Sequence, residues 1–594
     1  MIRKPLRPIS QIIFARSAGQ DPDNIERENI RKRHLKLEKS ARVRSESRLL
    51  VLAGFFLLSF IAIGLKMGML SLVTPLEPTA SAQLMKTMTK RADILDRNGS
   101  VLATNLITNA LYAKPNLMIN KENSIQKLVK IFPDLDIANL KKLFASGRKF
   151  IWIKRKISPE QMQAVHELGE PGLRFGPREM RLYPNGRLAA HILGGVGYGK
   201  EGVSSAELVG SAGVELKFDD FLKDKLGKGE PLILSLDLGV QSAIAHVLNG
   251  GMQLMNAKGA TAILMDIHSG EIISMVSLPD FDPNDRSGKF SKKNGSDSPL
   301  FNKGVQGLYE LGSVFKVFTA ALALEEKIVN LDTLVDTSSP IVWGKHRISN
   351  YHRLPEQLSF TDVIVESSNT GTSRLAQELG GKRQKEFLAQ LGFFESSGVE
   401  LVEGKNITSQ YPANWSEIST MTISYGHGLS SSPLHVATAF ASVLNGGLRI
   451  RPTLIKDSNK GASKIRIVEQ GVSKDLINIL YQVVDRGTAS AANVYGYSVA
   501  GKTGTANKVK STGGYYKKKN ITTFASVFPA EKPKYVLLVT LDEPIVMTGQ
   551  KSRRTAGWTA APIASEIIYR VAPLLGIRPH LHNRSHNDLL MVGN

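Results

Sequence analysis

Residues 259–279 read GATAILMDIHSGEIISMVSLP, two apolar runs around the turn His268-Ser269-Gly270. That is a strand–turn–strand signal. A second one lies far downstream, where ITTFASVFPA (521–530) and KYVLLVTL (534–541) flank Glu531-Lys532-Pro533. A closing helix comes next, PIASEIIYRVAPLL, Pro562–Leu575. Between the two hairpins, helical patterns fill much of 313–490. Strands at both ends with helices between predict an α+β fold, with an antiparallel sheet built from distant parts of the chain and helices packed on it.

Working outward, KGEPLILSLDLGVQSAIAHVL (228–248) starts a strand and then a helix, which places a boundary near residue 230. Before it, RADILDRNGSVLATN (91–105) carries a turn at Asn98-Gly99 between short apolar runs. Residues 123–168 read as mixed helices with scattered Lys, then come a Gly/Ser-rich stretch to Gly213 and helical spacing in VELKFDDFLKDKL (214–226). Residues 74–90 read as a linker and 579–594 as a polar tail.

The chain has 594 residues, 42% hydrophobic and 22% charged, enough for several cores and unlike a disordered chain. It has no cysteine, which excludes disulfides, thiolate metal sites and cysteine nucleophiles. Net charge is 76 − 53 = +23. Residues 1–48 hold 13 Lys/Arg against 6 Asp/Glu, a net of +7. Leu49–Leu65 then runs 17 residues without a charge, and after Lys66 the apolar stretch resumes to Val73. A segment of that length spans a bilayer, and one Lys near its end reaches the interface. The basic flank keeps the N-terminus cytoplasmic and exports the rest. Ala80-Ser81-Ala82 fits a signal-peptidase site, but the basic region is too long for a cleaved signal. The predicted order is a basic cytoplasmic tail (1–48), an anchor (49–73), an N-terminal module (74–230), a C-terminal domain (231–578) and the tail. With a membrane segment in place, nucleic acid is not the expected partner of the basic charge.

Three elements carry chemistry. Ser313-Val314-Phe315-Lys316 opens SVFKVFTAALALEEK, apolar nearly all round and so a buried helix. Positions i and i+3 share a helix face, so the hydroxyl and the amine meet, and a desolvated lysine is neutral enough to act as a base. Ser124–Lys127 and Ser146–Lys149 repeat the spacing in polar surroundings, where a solvated amine stays protonated. Ser367-Ser368-Asn369 falls between two helical patterns, on a turn that also reads as an ordinary helix cap. Lys502-Thr503-Gly504-Thr505 lies inside a segment that satisfies GxxxxGK[ST] from Gly496. The residues after Thr505 do not continue as an amphipathic helix, so the segment reads as a strand instead of a phosphate loop, with Gly504 leaving room for a ligand near the backbone. There is no GxSxG and no HExxH, and His427 in SYGHG reads first as a turn or packing residue.

In this order and spacing the three elements resemble the SxxK, SxN and KTG motifs of penicillin-binding proteins and serine β-lactamases. RADILDRNGSVLATN, RLYPNGRLAAHILG and GSAGVE resemble the N-terminal pedestal or dimerisation-type module of class B penicillin-binding proteins. MDIHSGEIISMVSLPDFDPN, YELGSVFK, SYGHGLSSSPLHVATAFASVLNGG, RGTAS and VAGKTGTA resemble successive motifs of their transpeptidase domain. The layout is most similar to the division-specific, FtsI-type members, with elongation-type members as the near alternative. Leu311 stands where a Pro is common, and Ile563 where an aromatic residue often follows Pro562. The resemblance implies a serine-type D,D-transpeptidase, of the D-Ala-D-Ala carboxypeptidase class, that cross-links peptidoglycan stem peptides at the septum. It implies Ser313, Lys316, Ser367, Asn369 and Lys502 as catalytic, Thr503, Gly504 and Thr505 as substrate-binding, and no cofactor or metal. Implied partners are stem peptides, lipid-linked precursor, an FtsW-type glycosyltransferase with other division proteins, and β-lactams as covalent inhibitors. The implied place is the inner membrane with the catalytic domain in the periplasm. A membrane-anchored lactam-binding scaffold without cross-linking activity, and a phosphate-loop ATPase, are the readings from other classes.

The uncleaved anchor has a direct check. Full-length protein stays with membranes after alkaline washing, whereas release of a shortened soluble form would show a cleaved signal.

Overall fold

The computed structural model describes residues 8–72, 91–201, 206–223, 230–285, 295–458, 465–510 and 513–580. The chain divides into two compact units, Met1–Met88 and Thr89–Asn594. The proposed linker 74–90 and nearly all of the polar tail lie outside the described residues.

The first unit holds helix α1 (Ile9–Ser17) and helix α2 (Pro22–Leu72). α2 runs without a break from the basic segment into the apolar one. Its stretch Arg48–Met69 is long and apolar enough to cross a membrane. Phe55, Phe56, Leu57 and Leu58 are all exposed there. The hydroxyl of Ser59 donates to Phe55 O at 2.9 Å, so the one polar side chain between Leu49 and Leu65 is satisfied within the helix.

In the second unit, β1 (Ile94–Leu95) and β2 (Val101–Ala113) pair antiparallel around the Asn98-Gly99 turn. Asp96 Oδ1 accepts from the backbone N–H of Asn98 (2.9 Å) and Ser100 (2.7 Å). β3 (Ile151–Ile157) and β4 (Leu173–Leu182) both pair with β2. The expected run of helices over 123–168 is therefore interrupted. Helices Lys121–Ile131, Ile137–Ala145 and Pro159–His166 are present, but β3 lies between the last two. Lys154, Arg155 and Lys156 hide that strand in the sequence, while Ile151, Ile153 and Ile157 are buried with strand spacing. The Gly/Ser-rich stretch forms a hairpin of β5 (Gly195–Glu201) and β6 (Ala206–Ala212).

β7 (Leu232–Ile233) runs parallel to β1, and α3 (Leu238–Leu254) comes after it, capped by Asp237, whose carboxylate accepts from Val240 N. The two hairpins read from the sequence are β8 (Gly259–Asp266) with β9 (Ile272–Leu278), and the later strand pair that ends the chain's main sheet. Between them lie α4 (Lys316–Glu325), α5 (Asn369–Leu379), α6 (Pro433–Leu444) and α7 (Gln470–Asp485). Then come β10 (Ala500–Val509), β11 (Tyr515–Phe528), β12 (Tyr535–Asp542) and α8 (Ala560–Leu574). The sheet order is β10-β11-β12-β8-β9. β12 joins β8 in antiparallel register from Tyr535↔Asp266 to Asp542↔Gly259, which closes segments far apart in sequence into one layer. α3 and α8 pack on the sheet and on each other, α6 packs on β8, β11 and β12, and α7 on β10. Ile563 of α8 fits against Gly251 of α3, where a Cβ would stand 2.6 Å from its Cδ1.

One hydrophobic core runs from Ala92 to Ala572 and so crosses position 230. A second, separate cluster around Leu111, Phe132, Phe144 and Ile157 holds the outer part of the N-terminal segment. In the part of the chain before residue 230, Glu215 is fully buried between two buried arginines. Arg91 Nε reaches one carboxylate oxygen at 2.6 Å and Arg181 Nε the other at 2.7 Å. Arg91 also donates to the Glu215 carbonyl at 2.6 Å and to Asp219 at 2.7 Å. Removing the shared carboxylate leaves Arg181 buried without its anionic partner and Arg91 with Asp219 alone, at a cost of about 3–5 kcal/mol. Denaturant unfolding of Glu215→Ala is expected to show that loss, and a change below about 1 kcal/mol would mean that the arginines are solvated.

Candidate active site

Ser313 sits on the 3-10 turn Gly312–Phe315 that leads into α4. Every residue of α4 from Lys316 to Leu324 is buried, and the rings of Phe315, Phe318 and Phe393 lie 5.3–5.4 Å apart, which fixes the start of the helix. The turn is pressed between two other backbones. Gly312 has φ +62°, and a Cβ there would stand 2.7 Å from Thr505 O and 3.0 Å from Thr505 N. Leu311, fully buried, places its carbonyl oxygen 2.1 Å from where a Cβ of Gly504 would lie. Gly504 is thus required by the chain's own turn, which fills the side where a Cβ would stand. Ser313 itself is only half-buried, and among the described residues its hydroxyl has no hydrogen-bond partner.

The Lys316 amine does not bond to Ser313. It reaches Ser367 Oγ at 3.0 Å, Asn369 Oδ1 at 2.8 Å and the Ser367 carbonyl oxygen. Ser367 has φ +59°, a left-handed conformation uncommon outside glycine, and this turns its carbonyl and hydroxyl together toward the amine. Ser368 is the cap of α5, accepting from Gly371 N, so the middle residue of the motif holds the helix while its neighbours face Lys316. Burial, and then the charge of Lys502, push the Lys316 pKa well below its usual value. The ammonium form has three oxygens around it but no carboxylate, which is why burial dominates.

Lys502 is also fully buried, at the end of the sheet on β10, and burial brings its pKa down to about 7. Thr503 Oγ1 lies 3.1 Å from Thr488 Oγ1, and Thr505 Oγ1 accepts from Ala556 N at 3.0 Å. All eight residues singled out in the sequence come from three segments that converge on this one place. No helix starts at Lys502, since Ala500–Val509 is a strand, and that removes the phosphate-loop reading.

Three further residues shape the site. Asn350, from a loop with no motif of its own, accepts from Asn369 N (2.8 Å), Thr370 N (3.1 Å) and Ser368 Oγ (3.2 Å), while Asn369 Nδ2 donates to Ser349 O at 2.9 Å. Thr488 lies in RGTAS, where the sequence suggests a motif but no role. Glu310 sits three residues before Ser313 and is buried. One of its oxygens accepts from Gly428 N (3.0 Å) and Tyr515 OH (2.9 Å), and burial raises its pKa. His427, next to that turn, packs its ring on Tyr425 and Tyr515 at 5.2 and 6.0 Å. Burial and then the Lys316 charge lower its pKa to about 4, so the ring packs there in its neutral form.

Comparison with known proteins agrees with this geometry. The family model of the penicillin binding protein transpeptidase domain matches residues 260–569, and that of the penicillin-binding protein dimerisation domain matches 86–230. A probable peptidoglycan D,D-transpeptidase FtsI of Caulobacter vibrioides is 32% identical over 543 residues, 89% of each chain. The peptidoglycan D,D-transpeptidase FtsI of Escherichia coli is 26% identical over 84% of this chain and 86% of its own. In fold, the chain is similar to penicillin binding protein 3 of Mycobacterium tuberculosis in a crystal structure with aztreonam. The TM-score is 0.63 at 24% identity, covering 83% of this chain and 97% of that one. With a transpeptidase domain over more than half of its length, a dimerisation domain before it and an FtsI relative matched over most of both chains, the chain belongs to the class B penicillin-binding proteins of FtsI type.

Proposed function

We propose that the chain is a peptidoglycan D,D-transpeptidase that cross-links stem peptides during septal wall synthesis, with Ser313 as nucleophile. The observation that carries this is Lys316, fully buried, depressed in pKa and held by Ser367 and Asn369 one helical turn from Ser313. The named activity of the Caulobacter and Escherichia relatives supports the same reading.

In this mechanism the Ser313 hydroxyl attacks the carbonyl of the penultimate D-Ala. Neutral Lys316 takes its proton. Ser367, within reach of the Lys316 amine, passes a proton to the nitrogen of the leaving D-Ala. Asn369 holds Lys316 and meets the substrate amide. Lys502 supplies a positive field, and Thr503 and Thr505 bind the terminal carboxylate. The backbone N–H groups of Ser313 and Thr505, on the two backbones that touch at Gly312, receive the oxyanion. One such donor is worth roughly 2.7–4 kcal/mol. The amine of a second stem peptide then attacks the ester, forming the cross-link and freeing Ser313. A β-lactam enters the same way and leaves Ser313 acylated.

The chain is membrane-anchored, and we place it in the inner membrane with the N-terminus cytoplasmic and the second unit periplasmic, on the basic flank of α2. Its division is proposed as 1–48 tail, 49–73 anchor, 74–230 module, 231–578 transpeptidase domain and 579–594 tail. An FtsW-type glycosyltransferase and other division proteins are its proposed partners, with lipid-linked precursor as the source of the strands.

Fluorescent penicillin is expected to label the wild type stably and to leave Ser313→Ala unlabelled. Label retained in that variant would move the nucleophile elsewhere. Nitrocefin is expected to be turned over slowly at most, and rapid multiple turnovers would make the protein a hydrolase. The pH profile of acylation derives from the two lysines, which titrate as a pair. Acid protonates Lys316 and removes the base; alkali deprotonates Lys502, near pH 7, and removes the positive field. The rate is expected to fall as pH rises through about 7, and Lys502→Arg to carry this alkaline limb to higher pH. An unmoved limb would assign it to another group.

A further inference from the structure

Beyond Thr505, β10 and β11 continue past the pocket into a strongly basic surface. Lys517, Lys518 and Lys551 are exposed, and Lys510, Arg553 and Arg554 are half-buried. None of these six meets a carboxylate among the described residues. The two acidic side chains at hand, Asp542 and Glu543, are held by Lys508 (2.8 and 3.1 Å), with Lys258 at 3.2 Å and Lys519 at 3.6 Å from Glu543. Two aromatic faces lie among the cations. Tyr516 carries Lys519 at 4.8 Å and Lys510 at 5.5 Å, and Trp558 carries Arg553 at 5.0 Å. Arg553 Nε is buried without an acceptor.

This surface is continuous with the pocket. Arg554 donates to Lys518 O, which ties the hairpin Val546–Thr548/Lys551–Arg553 to β11. The segment after that hairpin supplies Ala556 N to Thr505 Oγ1. Whatever extends out of the pocket along β10 meets uncompensated positive charge and exposed rings.

We infer that this surface docks an acidic polymer strand by its carboxylates, the rest of the peptidoglycan strand whose peptide reacts at Ser313; the inference rests on the transpeptidase reading. Cations spread along a surface attract a polyanion by charge density. A lipid surface and a nucleic acid share the attraction to cations. Peptidoglycan is favoured because the patch adjoins the strand of Lys502 and Thr505: Lys510 follows the end of β10, and Lys517 and Lys518 lie on β11, which pairs with it.

The test uses the full chain in nanodiscs of neutral lipid. Its binding to purified sacculi is compared with binding to sacculi whose carboxylates have been amidated, at low and high salt. The variant is Lys517→Gln/Lys518→Gln/Lys551→Gln, three exposed positions with no packing role. Wild type is expected to bind native sacculi far better than amidated ones and to weaken with salt. The variant is expected to lose about fivefold per lysine, the worth of a cation beside an anionic surface. Penicillin labelling at Ser313 is expected to be equal in both. Equal sacculus binding by variant and wild type, or equal binding to amidated sacculi, overturns the inference. So does a variant that keeps sacculus binding and loses only binding to anionic vesicles or to an oligonucleotide. Failure of the wild type to take up penicillin would instead overturn the transpeptidase reading, and sacculus binding would still decide the surface on its own.

Discussion

Where the turn at Gly312 crosses β10, backbone meets backbone with no side chain between. Gly504 accommodates the carbonyl of Leu311, Gly312 lies on the peptide of Thr505, and Gly426 lies on Gly312, whose carbonyl oxygen would be 2.1 Å from its Cβ. Gly312 and Gly426 also hold positive φ, at +62° and +83°, so each position demands both space and a conformation that a side chain disfavours. Three segments well separated in sequence are thereby clamped into one geometry. Ser313, the KTG strand and the 425–428 turn depend on this clamp for their relative placement, and Glu310 reinforces it from behind by bridging Gly428 and Tyr515.

The second constraint is electrostatic. Lys316 and Lys502 are both fully buried, and neither has a carboxylate partner among the described residues. A paired lysine keeps its charge and is useless as a base; an unpaired one in a dry site gives its proton up. The left-handed Ser367 and Asn369 satisfy the amine with neutral oxygens, and Asn350 holds Asn369 in turn by its backbone, so the amine's hydrogen bonds are kept while its basicity is tuned by burial. Preorganisation of this sort needs rigid supports, and α4 and α5 supply them through buried faces and the Ser368 cap.

Much of this is legible in the sequence, and for a definable reason. The strands 259–279 and 521–541 are buried on both faces, so their apolar runs stand out without context. Ser313, Lys316, Ser367, Asn369 and Lys502 carry fixed local spacings, and the three motifs constrain one another. β3 escapes such a reading because three consecutive cations mask its alternation, and the β5–β6 hairpin because Gly and Ser leave little pattern to read. Asn350, Thr488 and Glu310 contribute only through contacts made after folding, which no local spacing encodes. Gly504 shows the converse: its smallness is visible, but the carbonyl that needs it comes from 193 positions away in sequence. The serine–lysine contact expected from i, i+3 spacing also yields to tertiary structure, since Ser367 and Asn369 take the amine.

The two dry lysines leave a mark on folding itself. In the unfolded chain each binds a proton with its ordinary affinity, near 10.5, whereas in the folded site Lys502 does so only below about 7 and Lys316 is likewise held well below its usual value. Between those limits the unfolded state holds more protons than the native one, so stability rises as pH climbs through that window and is lowest on its acid side. Opening the site therefore draws protons from solution, and the heat of unfolding carries a contribution from whichever buffer gives them up.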